Sequence, residues 1–142
     1  MGKFRQYQEA LLSWNQRVNL TAITSPAEIA RLHFLDSLTV SLALTEALRT
    51  EGNICDVGSG AGFPGIPLKL MFPGMRLTLI DSTAKRTRFL SALIETLGLK
   101  EVYVRTGRSE ELGHEDTLRE SFDVVVSRAV ASLSVMAELA LP

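Results

Sequence analysis

A glycine-rich turn after a short apolar run constrains this chain more than any other stretch. The run covers residues 54–57. The glycines that follow it stand at alternate positions: Gly58, Gly60 and Gly62. Such a run predicts a buried strand that ends in a tight turn. Glycine permits positive φ and a close approach of backbone to ligand, and Pro64 and Pro67 suit the first turn of a helix. Together these features predict a nucleotide pocket.

Two familiar pockets of this shape fit the residues poorly. A P-loop requires Gly-Lys followed by Ser or Thr at its end, whereas the chain has Gly65-Ile66-Pro67 there, which excludes it. A dinucleotide-binding turn can be drawn through Gly60, Gly62 and Gly65, with Asp81 as the acidic residue further on. Two prolines then stand where a pyrophosphate requires free N–H groups. Because the glycine spacing still matches, a nicotinamide-dependent oxidoreductase is kept as an alternative despite these prolines.

The pattern from Asp56 to Gly62, Asp-x-Gly-x-Gly-x-Gly, resembles motif I of the class I S-adenosylmethionine-dependent methyltransferases. That cofactor has no pyrophosphate, so prolines at the helix start do no harm. A carboxylate at the strand end suits a cationic ligand, and Asp56 can bind the ammonium of the methionine moiety directly or through water. Asp81 ends the next predicted strand, where a carboxylate can bind ribose hydroxyls. Its alternative role is the N-cap of the following helix.

The chain alternates predicted strands and helices from residue 53 onward. Strands are predicted at 54–57, 76–80, 101–106 and 122–129, and helices at 65–72 and 84–97. This cadence predicts an α/β fold, a parallel sheet with helices on both faces. Because the strand order reverses beside the first strand, a ligand crevice is expected at the carboxyl ends of strands one and four. The polar residues expected at that edge are Asp56, Asp81, Ser109, Glu110 and Arg128.

Residues 1–50 are predicted to form a helical extension that packs with the core of residues 51–142 as one domain. Apolar residues at spacings of three and four between Phe4 and Val18 predict an amphipathic helix. Trp14 belongs to that stripe and is interpreted as a core residue. The period then breaks, which predicts an ordered loop at 17–23.

Two further helices are predicted before the central strand. Ser25 and Glu28 have the spacing of a capping box and predict a helix start. A separate helix is predicted at 37–48 with Leu42 on its buried face. Asp36 is interpreted either as the cap of that helix or as a catalytic carboxylate that stabilises positive charge on a substrate base.

Composition sets the remaining bounds. The 142 residues, 46% of them hydrophobic, allow one globular domain, and a net charge of −1 argues against a non-specific nucleic-acid coat. The single cysteine, Cys55, excludes an intrachain disulfide and indicates a reducing compartment. No stretch has the length of a membrane span or a secretory signal, so a cytoplasmic protein without a membrane partner is expected. His33 and His114 are far apart in sequence, and no metal site is predicted.

Three cations begin the helix predicted at 84–97: Lys85, Arg86 and Arg88. Cations at this end of a helix oppose its macrodipole. Binding of the anionic RNA backbone gives one reason for them, and a solvated helix face gives another.

Several motifs along the chain are shared with one family. They are Trp14-Asn15, Asn19-Leu20-Thr21, His33-Phe34-Leu35-Asp36-Ser37, residues 56–67, Leu79-Ile80-Asp81-Ser82, residues 85–90, residues 107–111 and residues 127–131. The stretch Gly62-Phe63-Pro64-Gly65-Ile66-Pro67 is the most specific of them. On these residues the chain is similar to the bacterial small-subunit ribosomal RNA guanine-N7 methyltransferases, also called glucose-inhibited division protein B.

The resemblance implies a cofactor, an acceptor and a set of contacts. The cofactor is S-adenosylmethionine, the product is S-adenosylhomocysteine, and the acceptor is N7 of a guanine in 16S ribosomal RNA, free or in the small subunit. The cofactor contacts implied are Gly58, Phe63, Ser109, Glu110 and Arg128, with Asp81 near the ribose; Asp56 and Gly60 of the turn complete the predicted site. Arg128 is also a catalytic candidate, expected to position the cofactor carboxylate or an RNA phosphate.

The resemblance also implies a larger sheet than the one predicted. A class I methyltransferase sheet has seven strands, and four are predicted here, so the three C-terminal strands are expected to be absent from this chain. A monomer is expected. A cofactor-free RNA-binding module is kept as the non-enzymatic alternative.

Overall fold

A computed structural model of the chain describes residues 2–112 and 122–127. These residues contain a parallel sheet of four strands in the order β3-β2-β1-β4. The strands are β1 (Asn53–Val57), β2 (Arg76–Asp81), β3 (Val102–Thr106) and β4 (Val124–Val126). The predicted parallel α/β sheet is confirmed, and the order reverses beside β1 as predicted. Residues 128 and 129 of the predicted fourth strand lie outside the described residues.

The described helices fill the N-terminal segment and connect the strands. They are α1 (Lys3–Asn15), α2 (Pro26–Glu28), a π-helical segment (Ile29–Leu35), α3 (Asp36–Thr39), a 3-10 segment (Val40–Ala43), α4 (Glu46–Glu51), α5 (Gly65–Met71), α6 (Ala84–Leu97) and α7 (Ser109–Leu112). The predicted loop after α1 is confirmed, and α6 has its predicted bounds because Gly98 at φ 64° ends it.

The predicted helix boundaries between residues 25 and 48 are wrong in part. Helical backbone continues past position 37, and the break comes instead at Leu44 and Thr45, where φ and ψ become extended. The Thr45 hydroxyl accepts a hydrogen bond from the Leu48 amide at 3.2 Å and caps α4, whereas Ser25 makes no side-chain cap bond. Leu42 was predicted to be buried, but it is 81% exposed.

One apolar core joins the N-terminal helices to the sheet. Tyr7 and Leu11 of α1 and Ile29 of the π-helical segment are buried in the same cluster as Ile54 of β1 and Leu77 of β2. The extension therefore packs on the same core as the strands. The division at residue 50 stays a prediction.

A buried lysine closes the turn between α5 and β2. Lys69 is 3% exposed, and its ammonium donates to the carbonyl oxygen of Pro73 at 2.7 Å and to that of Met75. Burial lowers the pKa of Lys69, and the negative charge of Glu101 opposes that shift. The ammonium therefore supplies hydrogen-bond partners to two carbonyl oxygens of the turn that follows α5.

Cys55 lies in the middle of β1 and is fully buried. Burial raises the pKa of its thiol, and the neighbouring charge of Asp56 raises it further. The thiol is therefore protonated at neutral pH. Among the helices of the described ranges, none has both the length and the apolar character needed to cross a membrane.

Candidate functional site

The glycine turn after β1 has the backbone conformation that its sequence predicts. Gly58, Gly60 and Gly62 have φ values of 69°, 56° and 98°, a region that residues with a Cβ atom rarely adopt. The amides of Gly58 and Ser59 both donate to the Ile80 carbonyl oxygen, at 2.8 and 3.0 Å. The turn is thus fixed to β2, and Gly58 stays exposed to solvent.

Asp81 at the end of β2 holds two backbone segments with one carboxylate. Its Oδ2 accepts from the Gly60 amide and its Oδ1 from the Thr83 amide, both at 2.9 Å. The side chain is 4% exposed, and Nη1 of Arg86 lies 3.9 Å from Oδ1. The Asp81 carbonyl oxygen also accepts from the Gly107 amide at 3.0 Å. This residue therefore connects the glycine turn, the start of α6 and the end of β3.

Asp56 lies one residue before the end of β1 and is 0% exposed. Its Oδ2 accepts from the Gly65 amide at 2.9 Å, so the carboxylate fixes the first residue of α5. A Cβ atom on Gly65 would lie 2.7 Å from that oxygen and 3.0 Å from Leu79, which leaves no room for a side chain there. The predicted bond from Asp56 to a cofactor ammonium stays a prediction.

Phe63 is buried among aromatic side chains of the N-terminal segment. Its ring stacks with those of Tyr7 and His33, with centroid distances of 5.4 and 4.5 Å. Phe34 lies against it at 5.7 Å, and the peptide bond between Phe63 and Pro64 is cis. The ring is thus part of the core, and its predicted contact with the cofactor stays a prediction.

The remaining predicted cofactor residues lie beyond the ends of β3 and β4. Ser109 and Glu110 begin α7, two residues after Gly107, whose amide bonds to Asp81. The backbone therefore places the segment that starts at Gly107 beside the carboxyl end of β2. The contact of Ser109 and Glu110 with the cofactor stays a prediction. Arg128 lies outside the described residues. The strand before it, β4, pairs Val126 with Asp56, so this strand ends at the same edge of the sheet.

Asp36 is the first residue of α3. It is exposed and lies inside continuous helical backbone, so its interpretation as the cap of a helix starting at position 37 is wrong. It lines a cavity of about 510 Å³ together with Ile23, Arg31, Leu32, Leu35 and Thr39. Of the predicted cofactor residues whose side chains the structure describes, none lines that cavity. Its catalytic role stays a prediction.

The three cations of α6 have different surroundings. Arg86 is half-buried and forms the ion pair with Asp81, whereas Lys85 and Arg88 are exposed. Trp14 of α1, predicted to be a core residue, packs edge-on against Phe89 of α6 with 5.7 Å between the ring centroids. Contact of the three cations with RNA stays a prediction.

Groups of three or more His, Cys, Asp or Glu residues suited to a metal ion do not occur in the described part of the chain. His33 is buried and its Nε2 lies 2.8 Å from the Thr21 hydroxyl oxygen. His114 lies outside the described residues.

Sequence reasoning assigned no functional role to three residues that contact the turn or are connected to it through His33. They are Tyr7, Asn15 and Thr21. Tyr7 stood in the apolar stripe of α1 as one packing residue among several. The polar residues Asn15 and Thr21 stood in motifs shared with the family, and these motifs were the one signal that could have identified them.

The parallel sheet and the glycine turn define the fold as the Rossmann-like fold of the class I methyltransferases. An O-methyltransferase from Bacillus cereus, solved in complex with SAH, superposes with a TM-score of 0.65 over 96% of this chain and 62% of its own. The sequences are 23% identical, so this likeness concerns the fold alone.

The chain belongs to the GidB family, described as rRNA small subunit methyltransferase G, whose model matches residues 1–142. The ribosomal RNA small subunit methyltransferase G of Alkaliphilus metalliredigens is 52% identical over 136 residues, which cover 96% of this chain and 56% of that protein. Its counterpart in Geobacillus thermodenitrificans is 46% identical over 142 residues, or 59% of its length. The chain thus spans somewhat more than half the length of these relatives. The resemblance drawn from the motifs is confirmed.

Proposed function

We propose that this chain forms the S-adenosylmethionine-binding part of an enzyme that methylates N7 of a guanine in small-subunit (16S) ribosomal RNA. One observation carries the proposal. In a chain of the GidB family, the glycine turn is already formed and its Gly60 amide is held by the nearly buried carboxylate of Asp81. S-adenosylhomocysteine is the expected product.

The residues at the turn fit this cofactor. A carboxylate has about four lone-pair sites on its two oxygens, and each oxygen of Asp81 accepts one backbone N–H. Both oxygens can therefore accept a ribose hydroxyl in addition. Gly58 offers exposed backbone beside them, and the segment from Gly107 to Glu110 completes the wall. Arg128 would bind the carboxylate of the methionine moiety.

When bound, S-adenosylmethionine supplies a methyl group on a sulfonium centre. Guanine N7 carries a free lone pair and loses no proton on alkylation, so the residues of this chain need not act as a general base. Their task is alignment, and holding reacting groups in line contributes roughly 7–11 kcal/mol in well-oriented systems. Alkylation places positive charge on the purine, which a carboxylate such as Asp36 would stabilise.

The substrate must present one base out of its stack. A-form grooves hide the N7 edge from side chains, so the guanine has to be unstacked to reach the methyl group. Lys85 and Arg88, exposed on α6, would contact phosphates beside it. The acceptor is 16S RNA, either free or assembled in the small ribosomal subunit, and the assay below compares the two.

The proposal is tested by methyl transfer from radiolabelled S-adenosylmethionine to 16S RNA and to small subunits. The full-length relative from Alkaliphilus metalliredigens serves as a positive control. Digestion of the RNA and mass spectrometry should identify N7-methylguanosine. Methylation of another atom, or failure of S-adenosylhomocysteine to bind the chain in a calorimetric titration, would contradict the proposal.

The variant Gly58→Val should lose binding, because a branched side chain at φ 69° is strained and blocks the turn. Gly98→Val is the matched control, because Gly98 has φ 64° at the end of α6 and carries a similar strain away from the site. Equal affinity of these two variants for S-adenosylhomocysteine would place the cofactor somewhere else.

A further inference from the structure

Three aromatic rings join the N-terminal segment to the glycine turn. Phe63 lies next to the turn, and the planes of Tyr7 and His33 are within 11° and 10° of its own. Tyr7 comes from α1 and His33 from the π-helical segment. The ring of Phe63 is therefore held by two stacked rings from elements outside the βα unit that contains the turn.

Tyr7 also bonds the turn itself. Its hydroxyl donates to the Ala61 carbonyl oxygen at 2.6 Å, between two of the positive-φ glycines. A Cβ atom on Gly62 would lie 2.5 Å from that same hydroxyl oxygen, so the turn backbone is packed directly against it. Tyr7 is 0% exposed. The hydroxyl thus fixes one peptide of the turn in a site without competing water.

His33 is fixed in turn by the loop after α1. The Thr21 hydroxyl lies 2.8 Å from Nε2 of His33. Asn15 holds that loop through three bonds, since Oδ1 accepts from the amides of Leu20 and Thr21 and Nδ2 donates to the Thr21 carbonyl oxygen. These contacts form a chain from Asn15 through Thr21 and His33 to Phe63.

We infer that Tyr7 and His33 are positioning residues for the glycine turn, through which the N-terminal segment raises affinity for the cofactor. The inference rests on the proposed function. A turn with three positive-φ glycines is conformationally free in the unfolded chain. A contact that holds it in the bound shape lowers the ordering cost of binding. Neither side chain needs to touch the cofactor for this effect.

The test uses Tyr7→Phe, which keeps the stacked ring and removes the bond to Ala61. The dissociation constant of S-adenosylhomocysteine should rise about fivefold, because one net hydrogen bond that orders the turn is lost. In the methyl-transfer assay the KM for S-adenosylmethionine should rise while kcat at saturation stays unchanged. Tyr103→Phe is the control, because Tyr103 is 57% exposed on β3, and it should bind like wild type.

Two results separate this inference from the function on which it rests. If wild type does not bind S-adenosylhomocysteine, the proposed function fails. If wild type binds but Tyr7→Phe has the wild-type dissociation constant and KM, the inference is overturned, even if the melting temperature has fallen.

A second pair of variants tests the contact between His33 and Phe63. His33→Gln retains a planar polar group within reach of Thr21, whereas His33→Leu removes the polar partner. The leucine variant should weaken binding more than the glutamine variant, with both measured well below their melting temperatures. The same affinity for both variants and wild type would exclude a positioning role for His33.

Discussion

Asp81 shows how one side chain can serve both the fold and the site. Its carboxylate accepts backbone N–H groups from Gly60 and Thr83, which belong to different segments. Hydrogen bonds from N–H groups to an ionised carboxylate are stronger than neutral ones. The sequence predicted Asp81 as a ribose ligand and, alternatively, as a helix cap. The structure shows that Asp81 accepts a hydrogen bond from the Thr83 amide, just before α6. It also accepts one from the Gly60 amide of the turn, and neither interpretation included this second bond.

Asp81→Ala should weaken S-adenosylhomocysteine binding by tenfold or more. The change removes the proposed ribose acceptor and leaves the Gly60 amide without its carboxylate partner, a loss of about 1–3 kcal/mol. Calorimetric titration measures the affinity, and urea unfolding measures the accompanying loss of stability. Glu95→Ala on the exposed face of α6 is the control. Wild-type affinity in Asp81→Ala would remove this residue from the cofactor site.

At the scale of elements, the sequence predicted best where the local pattern and the packing agree. β1 and β2 are apolar runs buried in the sheet, and a glycine ends α6. Between residues 25 and 48 the apolar residues exceed what the core accepts, so Leu42 is exposed. Helical backbone continues through position 37, where the start of a separate helix was predicted. Periodicity could not show this, because it does not state which apolar face finds a partner.

The side chain of Asp123, just before β4, contacts the first residue of β1. Asp123 Oδ2 accepts from the Asn53 amide at 2.9 Å, and the Asp123 amide donates to the Asn53 carbonyl oxygen at 2.8 Å. Asp123 and Asn53 thus exchange two bonds at the amino ends of their strands. This contact, 70 residues apart in sequence, gave no signal in any local pattern.

Asp123→Ala should lower the free energy of unfolding by about 0.5–1.5 kcal/mol, the net worth of one hydrogen bond. Hydrogen exchange at the Asn53 amide should accelerate as well. Asp123→Asn keeps a side-chain oxygen acceptor and should retain most of the stability. If Asn53 exchanges at the wild-type rate in Asp123→Ala, the bond does not fix the strand pair.

At the scale of the molecule, the N-terminal helices and the sheet share one core, and this core includes Ala61 and Phe63 of the glycine-turn region. The sequence predicted the turn, its glycines and the acidic residue on the next strand because each follows from local spacing. It did not predict the stack of Tyr7, Phe63 and His33, whose members are brought together only by folding. Ser109 and Glu110 were predicted from strand order, and the backbone of their segment is at the expected edge.

Amide chemical shifts of ¹⁵N-labelled protein, recorded during titration with S-adenosylhomocysteine, test most directly where the cofactor binds. We expect the largest changes at Gly58 and Gly60 of the turn and at Asp81 and Gly107 beside it. Changes confined to the cavity lined by Arg31 and Asp36, with the turn amides unmoved, would contradict this account of the site.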